Sequence, residues 1–392
     1  MALTRLSNSR WLLLVLLNSA FIQAGVYVVR PMVSYRALEL GADAVLVGLV
    51  GSAFAIAPLI FAIVMGKWVD RGRDGTALLI GSSISMLVTI VLVMVQSLPF
   101  LFVAMPLLGI GHLFAMLGGQ TMIANRSQDK RYERNFGLLT FYASVGHAVG
   151  PFVGGILADR GGIQVEENSA LAFAIVLFVL AALSVIPLAR KGKIIQQGDQ
   201  LSGSAVKKVL SVRGYKSAIF VAGSSTAVVD VILIFLPVLG RELGFGSAQI
   251  GILLAIRAIA SMGVRVVLGR ISDRYGMKLI LNGGALITML GTIALAFITD
   301  FTVLAIAIAI TGFAMGIGQP ATMAWVSRIS YPEHRGLAIS IRLTSNRLGQ
   351  VLVPAVAGTI ASGGIGSVFF LLAALQAASI VVTQKALPGQ AG

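Results

Sequence analysis

Eight ionisable residues of this chain fall inside long apolar runs of sequence, where a charge is costly. A charged group at the centre of a lipid bilayer costs several kcal/mol, so each of these residues is a candidate functional group. A guanidinium is always charged and offers five donors in a planar fork that suits carboxylate or phosphate. The excess of arginine therefore predicts a polar, basic site. The eight residues are Arg30, Arg257, Arg265, Arg342 and Arg347, together with Asp230, His112 and His147.

Predicted depth in the bilayer ranks these residues. Arg257 and Arg347 fall near the middle of their apolar runs, so they are the best candidates for binding an anionic group. Asp230 is the only acid of the set and falls at about the depth of Arg257 on the next helix, so we expect the two to pair. Such a pair either holds two helices together throughout or lets Asp230 carry a coupling proton under the control of Arg257.

Polar residues at helical spacing extend this set, because residues three or four apart share one face of a helix. Stripes of this kind run along helices 1, 5 and 11: Gln23, Tyr27, Arg30 and Ser34; Thr140, Ser144 and His147; Arg342, Asn346 and Gln350. We predict that the solute is bound by Gln23, Tyr27, Arg30, His112, Arg257, Gln319, Arg342, Asn346 and Arg347. We predict that Asp230 and His147 carry the coupling proton, with His112 as a further candidate.

The elements that must position these residues follow from composition. Of 392 residues, 57% are hydrophobic and 11% are charged, whereas soluble domains carry roughly 25% charged residues. A bilayer-spanning helix needs about 20 mainly apolar residues. The sequence therefore predicts an all-α membrane protein with twelve transmembrane helices. Their predicted ranges are 11–33, 44–66, 76–96, 100–124, 136–158, 168–189, 215–240, 247–268, 279–299, 302–326, 337–361 and 366–385.

The basic residues predict the orientation of these helices. If the N-terminus is cytoplasmic, 22 of the 30 Lys and Arg lie on that side, and only Arg36, Arg160 and Arg241 lie on the opposite side. This positive-inside bias places both termini in the cytoplasm. The net charge of +15 is thus explained by topology and by contact with anionic lipid, so no nucleic-acid partner is expected. The absence of cysteine excludes disulfide, thiolate and Cys-zinc chemistry, and we expect no metal and no cofactor.

The chain also repeats itself at a constant interval of 203 residues, here called the repeat interval. The segment that contains Gly66, Asp70 and Arg71 recurs as Gly269, Asp273 and Arg274. The same shift relates four further pairs: Gly109 and Gly312, Gly146 and Gly349, Pro151 and Pro354, Gly155 and Gly358. The sequence therefore predicts two pseudo-symmetric six-helix bundles, at 1–190 and 215–392, joined by a cytoplasmic linker at 191–214. Such repeats place a substrate site at their interface, near the middle of the membrane.

Two motifs make the chain resemble the major facilitator superfamily over essentially its whole length. The family's loop motif, Gly-x-x-x-Asp-Arg-x-Gly-Arg/Lys, is similar to the segments that begin at Gly66 and Gly269. In helix 5 the run Gly146-x-x-x-Gly150-Pro151-x-x-Gly154-Gly155 matches the family's antiporter motif. The small residues make a face for close helix contact, and the proline bends the helix. Both motifs are predicted to act in the conformational cycle, the acidic loop motif as a latch between states.

The resemblance implies a fold and a class of solute. In this family helices 1, 4, 5, 7, 8 and 11 surround a central cavity, and all eight membrane-embedded ionisable residues fall on those helices. The helix 5 motif is typical of proton antiporters that export drugs and metabolites. One departure is Met105, which stands where the family's helix 4 motif has an arginine tied to proton coupling, so that role is not carried over.

Three classes of function fit these features to different degrees: an enzyme, a receptor and a transporter. An enzyme is not expected, because the chain has no cysteine, only three histidines far apart in sequence, one membrane acid, and no nucleotide-binding Gly-x-x-x-x-Gly-Lys run. A non-transporting receptor is a weaker alternative. The leading hypothesis is alternating-access, proton-coupled export of a small anionic or zwitterionic solute. The alternative is an organic-anion importer or exchanger without proton coupling. We expect a monomer in a bacterial-type inner membrane.

Overall fold

The computed structural model describes residues 2–127, 131–189, 203–331 and 334–387, and nearly all regular structure in them is helical. The helices are α1 (Ala2–Glu39), α2 (Ala44–Val69), α3 (Asp74–Met94), α4 (Leu98–Arg126), α5 (Tyr132–Ala158), α6 (Glu167–Val185), α7 (Gly203–Leu210), α8 (Tyr215–Glu242), α9 (Ser247–Leu295), α10 (Phe301–Ile329), α11 (Arg335–Ala361) and α12 (Gly366–Ala386). A 3-10 turn at Ile186–Leu188 follows α6.

The long helix α9 contains two membrane spans. At 1.5 Å per residue its 49 residues would extend about 74 Å, more than twice the thickness of a bilayer core. Gly276 interrupts it with φ 78 and ψ 154, which a helix cannot contain. Among the described residues, ten helices, α9 among them, are long and apolar enough to cross a membrane, and the 27-residue α11 carries two arginines of the predicted site, Arg342 and Arg347. The prediction of an all-α protein with twelve transmembrane helices is confirmed, with α7 as a short additional helix.

Helix boundaries repeat at the interval that the sequence predicts. α4 and α10 are related by that shift at both ends, and so are α5 and α11. The turns that follow two pairs of equivalent helices repeat as well. Gly41 and Gly244 follow α1 and α8 with φ of 82 and 76, and Gly161 and Gly364 follow α5 and α11 with φ of 91 and 108. Glycine adopts this left-handed backbone without a steric penalty, so each half ends these helices with the same device.

Contacts between Cα atoms divide the chain into two compact units. Unit 1 comprises Met1–Ala42, Ala53–Gln197 and Gly240–Ala255. Unit 2 comprises Asp43–Ser52, Gly198–Leu239 and Ile256–Gly392. Each unit thus takes a short segment from the other sequence half. The predicted domain boundaries remain a prediction. The predicted linker spans 191–214, and its residues up to 202 lie outside the described part of the chain. The short helix α7 lies in the rest of this linker.

Equivalent glycines bring equivalent helices together in the two units. In unit 1 a Cβ on Gly109 of α4 would collide with the carbonyl oxygen of Phe54 on α2. In unit 2 a Cβ on Gly312 of α10 would lie 2.8 Å from the Cα atom of Arg257 on α9. The repeat interval relates Gly109 to Gly312 and Phe54 to Arg257. Small residues let membrane helices approach to backbone contact, which explains why both positions are glycine.

A second pair of close crossings follows the same shift. In unit 1, Gly251 of α9 packs against the carbonyl oxygen of Pro151 in α5. In unit 2, the equivalent Gly48 of α2 packs against the carbonyl oxygen of Pro354 in α11. Proline has no N–H and leaves the carbonyl one turn earlier without its helical partner, so the helix bends at these points. The bend and the missing side chain together allow the contact.

A buried arginine joins three helices of unit 1. Arg36 on α1 donates to the carbonyl oxygen of Leu92 in α3, and its Nη2 lies 2.7 Å from Oδ1 of Asn168 on α6. The same nitrogen lies 3.8 Å from a carboxylate oxygen of Glu167. Arg36 and Glu167 are both buried. A buried charge is tolerated only when it is paired and hydrogen-bonded, and Arg36 meets both conditions.

The N-termini of two equivalent helices are capped in different ways. α2 uses its own residue: the N–H of Leu46 donates to Oδ1 of Asp43 at 2.9 Å. At the equivalent position before α9 the chain has Gly246, and the cap comes from the end of α5, where Oδ2 of Asp159 accepts from the N–H of Ala248 at 3.0 Å. A Cβ on Gly246 would lie 2.6 Å from that oxygen. Asp159 therefore occupies the space that a side chain at 246 would need.

This arrangement predicts that the effects of two substitutions on stability are not additive. Asp159→Ala should lower the thermal unfolding temperature in detergent, because losing an N-cap costs about 1 kcal/mol. Gly246→Ser should also destabilise the wild type, because its Cβ meets the Asp159 carboxylate. In the double variant the serine supplies the cap and the collision with that carboxylate is gone, although its Cβ still lies 2.9 Å from the carbonyl oxygen of Gly162, which must shift slightly. The double variant should therefore be less destabilised than the sum of the single changes.

The control for this cycle is Asp43→Ala, which removes the cap of α2 without involving α5. It should destabilise to a similar extent in the presence or absence of Gly246→Ser. Additive effects of Asp159→Ala and Gly246→Ser would show that Asp159 does not cap α9.

Candidate solute-binding site

In unit 1, one amide joins two histidines. The side-chain oxygen of Gln23 on α1 lies 3.2 Å from Nε2 of His112 on α4 and 3.2 Å from Nε2 of His147 on α5. The ring of Tyr27 stacks on that of His147 with centroids 4.0 Å apart. An amide oxygen has two lone pairs, so both imidazoles can donate to it in the tautomer that carries hydrogen on Nε2. The sequence-predicted residues of helices 1, 4 and 5 thus form one cluster.

An arginine and an aromatic ring extend this cluster. The guanidinium of Arg30 lies 4.5 Å from the ring centroid of Phe54 on α2, a favourable cation–π distance. The same ring lies 5.6 Å from that of His112. Phe54 was not predicted from the sequence, because a phenylalanine in an apolar run gives no chemical signal. Its one pointer was position, since the repeat interval makes it the equivalent of Arg257.

In unit 2, a second amide organises Arg342. Nη2 of Arg342 on α11 donates to the backbone oxygen of Gln319 at 2.8 Å and to its side-chain oxygen at 2.9 Å. The same nitrogen donates to Oγ1 of Thr322 at 2.9 Å. Nδ2 of Asn346 lies 3.3 Å from the Gln319 side-chain oxygen, and Nε2 of Gln319 donates to the hydroxyl of Thr226 on α8. Arg342, Asn346 and Gln319 were predicted site residues, and the structure brings all three together.

A third amide lies between an arginine and the membrane acid. Nη1 of Arg347 donates to Oε1 of Gln350 at 2.9 Å, and Nε2 of Gln350 donates to Oδ1 of Asp230 at 3.1 Å. Asp230 and Gln350 are buried, and Arg347 is partly buried. Gln350 was recognised in a polar stripe but was not among the predicted site residues. Its equivalence to His147 in the repeat was the signal that would have found it.

The two remaining membrane arginines of unit 2 differ in burial. Arg257 is 4% exposed and its backbone packs against Gly312, so it belongs to the interior of unit 2. Its pairing with Asp230 remains a prediction. Arg265, two turns further along α9, is exposed. Burial therefore favours Arg257 over Arg265 as a solute ligand.

The repeat relates these clusters to each other. Tyr27 and Asp230 are equivalent positions on α1 and α8, and His147 and Gln350 are equivalent positions on α5 and α11. In each unit the two side chains touch, by ring stacking at 4.0 Å in unit 1 and by a hydrogen bond of 3.1 Å in unit 2. The same backbone geometry thus carries aromatic and imidazole groups in one half and charged and amide groups in the other.

The small residues of α5 form two contact faces. Gly146, Gly150 and Gly154 pack on α1, where a Cβ at any of them would meet backbone atoms or the side chain of Val28. Gly155 faces α9 instead, and its carbonyl oxygen accepts from the hydroxyl of Ser247 at 2.9 Å. The motif therefore fixes the position of α1, which carries part of the cluster of unit 1.

The glycines of the two acidic loop motifs lie away from neighbouring helices. Among the described residues, no atom of another helix lies within 4 Å of a Cβ built on Gly66 or Gly269, so neither glycine makes a close helix contact in this structure. Asp70 is partly buried. Burial raises the pKa of its carboxyl group, and a hydrogen bond with Thr121 on α4 opposes that increase. Its role as a latch remains a prediction.

The described residues contain no group of three or more His, Cys, Asp or Glu side chains with the geometry of a metal site. Each of the three amide-centred clusters consists of neutral, cationic or single acidic groups. Groups of these kinds can form hydrogen bonds and ion pairs with a polar molecule.

Comparison with known proteins identifies the family. Residues 15–229 and 217–390 match the model of the Major Facilitator Superfamily. The chain is 24% identical over 375 residues to Multidrug resistance protein 1 of Bacillus subtilis, covering 95% of each protein. It is 25% identical over 337 residues to Multidrug resistance protein MdtG of Klebsiella pneumoniae, covering 82% of this chain and 80% of that protein.

Solved structures show the same fold. A mutant form of the nucleoside transporter NupG superimposes with a TM-score of 0.81 at 16% identity and covers 97% of this chain and 100% of its own. A D-xylose-proton symporter superimposes with a TM-score of 0.78 at 15% identity, covering 97% and 98%. The family model covers nearly the whole chain. This multi-pass membrane protein therefore belongs to the major facilitator superfamily of transporters.

Proposed function

We propose that the protein is a secondary active transporter that exports a small anionic or zwitterionic organic solute in exchange for protons, by alternating access. The observation that carries this proposal is the Asp230–Gln350–Arg347 chain, which connects a buried acid to an arginine through one amide. An arginine supplies the donors for an anionic group. A buried carboxylate supplies a site for a proton. The names of the multidrug resistance relatives support export.

The proposed setting follows from the distribution of charge. We propose a monomer in a bacterial-type inner membrane with both termini in the cytoplasm, because 22 of the 30 Lys and Arg then lie on the cytoplasmic side. Those residues are suited to contact anionic lipid headgroups. The Gln23 cluster in unit 1 and the Arg342 cluster in unit 2 are proposed to contact the solute in turn as the protein changes state.

A second candidate function is an organic-anion importer or exchanger without proton coupling. The observation that favours it is the ratio of five membrane arginines to one membrane acid. In that case Asp230 would serve only to hold Gln350 and Arg347 in place. The two functions differ in whether a pH gradient drives accumulation.

The coupling role of Asp230 is tested by Asp230→Asn in proteoliposomes. Asparagine keeps an oxygen that accepts from Gln350, but it cannot bind a proton at neutral pH. We expect solute counterflow to persist while accumulation driven by a pH gradient is lost.

The matched control is Asp300→Asn, because Asp300 caps α10 through the N–H of Val303 and asparagine is an equally good cap. It should leave both activities unchanged. If Asp230→Asn still accumulates solute with normal pH dependence, the proton is carried elsewhere, and His147 and His112 become the next residues to test.

The anion-binding role of Arg347 is tested by Arg347→Gln. The glutamine removes the permanent charge and the planar fork, so binding of an anionic ligand should fall by about 100-fold or more. Arg265→Gln is the control, because Arg265 is an exposed member of the same set and should bind the ligand normally. Equal binding by both variants, with unchanged thermal unfolding, would contradict the role of Arg347.

If Asp70 acts as a latch between transport states, Asp70→Asn should increase the stability of the protein and decrease its rate of transport. Because burial raises the pKa of Asp70 in the folded protein, its contribution to stability is largest below the ordinary aspartate pKa and is lost as the pH rises through the raised value. At pH 7 the neutral asparagine should raise the unfolding temperature by about 1–2 °C, with little effect near pH 4.

Turnover of Asp70→Asn should nevertheless fall about tenfold, because the balance of the two transport states is changed. Asp273→Asn should slow turnover in the same way. Wild-type turnover in both variants would restrict these motifs to a role in topology.

A further inference from the structure

Gln350 can hold its two neighbours only in one orientation. A side-chain amide has an acceptor at its oxygen and donors at its nitrogen, whereas a guanidinium only donates and a carboxyl group offers an acceptor oxygen whether or not it carries a proton. The oxygen of Gln350 therefore faces Arg347 and its nitrogen faces Asp230. The two charged groups are thus separated by one amide and two hydrogen bonds, about 8 Å in an extended arrangement. This spacing places a donor for an anion and an acceptor for a cation within reach of one small molecule.

The sign of coupling between solute and proton depends on which charge the solute carries. An anion bound at Arg347 withdraws positive charge from Asp230 and so favours proton binding there. Linkage is reciprocal, so that anion and the proton would bind together and travel in the same direction. A purely anionic solute is therefore poorly suited to exchange with a proton at Asp230.

An ammonium group has the opposite effect. It occupies the oxygens of Asp230 that a proton would need, so ammonium and proton exclude each other. Mutual exclusion at one carboxylate is the condition for exchange across the membrane. The ammonium group of the solute thus couples its binding to the loss of a proton from Asp230. An anionic group on the same solute is still needed to bind Arg347.

The charged surroundings of Asp230 support this division. The guanidinium of Arg347 on α11 is linked to Asp230 through the side chain of Gln350. A cation alone would be repelled by that guanidinium group. A molecule that carries both charges places its anionic group toward Arg347 and its ammonium toward the acid.

We infer that the exported solute is a small zwitterion of the amino-acid type, whose ammonium displaces the proton of Asp230 while its carboxylate binds Arg347. In the bound state the solute replaces the amide of Gln350 between the two charges. Two charge-assisted hydrogen bonds of about 2.8 Å on either side of an α-amino acid span a similar distance. This inference rests on the proposed proton-coupled export and names its class of substrate.

The test compares three molecules on one scaffold: phenylalanine, 3-phenylpropionate, which lacks the ammonium, and phenethylamine, which lacks the carboxylate. Binding to the purified full-length protein is measured by calorimetry in two buffers of different ionisation enthalpy, which reports the protons exchanged. The series is repeated with leucine, 4-methylvalerate and isoamylamine. We expect one zwitterion to bind at least about tenfold more tightly than the matching acid and amine, and to release protons when it binds.

Two variants assign the effect to the residues named. Asp230→Asn should abolish proton release and weaken the zwitterion toward the affinity of the matching acid. Arg347→Gln should weaken the zwitterion while proton release per molecule bound persists. Asp300→Asn should behave as the wild type, because that acid lies outside the cluster.

Each alternative result has a defined meaning. If the acid binds most tightly in both series and takes up a proton, the zwitterion is overturned while the organic-anion site of the proposed function stands. If the amine binds most tightly, both are overturned. If no member of either series binds, the amino-acid class is overturned, and pH-driven transport of other organic anions still tests the proposed function.

Discussion

Side-chain amides hold together the three polar clusters described above, those of Gln23, Gln319 and Gln350. Inside a membrane-embedded bundle water does not satisfy buried polar groups, so every donor and acceptor must find a partner within the protein. Gln23 joins two imidazoles, Gln319 receives Arg342 and Asn346, and Gln350 connects Arg347 to Asp230. Because an amide carries no charge, it connects charged groups without adding to the cost of burying them. An amide can also be displaced by a solute with the same pattern of donors and acceptors.

The duplication supplies one backbone for two different chemistries. Equivalent glycines bring α2 and α4 together in unit 1, and the corresponding part of α9 and α10 together in unit 2. The residues that face these crossings have diverged, so that Phe54 corresponds to Arg257 and Tyr27 to Asp230. The half with aromatic rings offers flat surfaces and neutral donors. The half with arginine and aspartate offers full charges, and there Gln350 connects the acid Asp230 to the anion-binding group of Arg347.

The sequence was sufficient for most of the architecture because each signal was local. Apolar run length predicted the spans, and the constant repeat interval predicted the duplication, which helix boundaries and left-handed glycines then followed. Several residues of the predicted polar stripes also came together, in the clusters of Gln23, Gln319 and Gln350. Arg342, Asn346 and Gln319 meet as one cluster because spacing along a helix determines which face a side chain occupies.

What the sequence did not predict depends on contacts between distant segments. The partner of Asp230 was expected on α9, and the structure adds Gln350 on α11, which depth alone does not indicate. Helix rotation and side-chain rotamers decide such contacts, and neither is visible in a linear pattern. The contacts of Phe54 and Asp159 were not predicted for the same reason. One is an aromatic residue in an apolar run, and the other is a loop acid whose partner is distant in the sequence.

The cap that α9 takes from α5 constrains the order in which this sequence can change. A helix that caps itself, as α2 does with Asp43, and a helix capped by another segment differ at two positions here, 246 and 159. Adding an aspartate at 246 while Asp159 remains would bring two carboxylates into contact, and removing Asp159 first would leave the helix end uncapped. Each single step is therefore unfavourable, and a side chain at 246 also requires the carbonyl oxygen of Gly162, 2.9 Å from its Cβ, to move. The two positions are therefore coupled, and exchanging either segment alone would break the match.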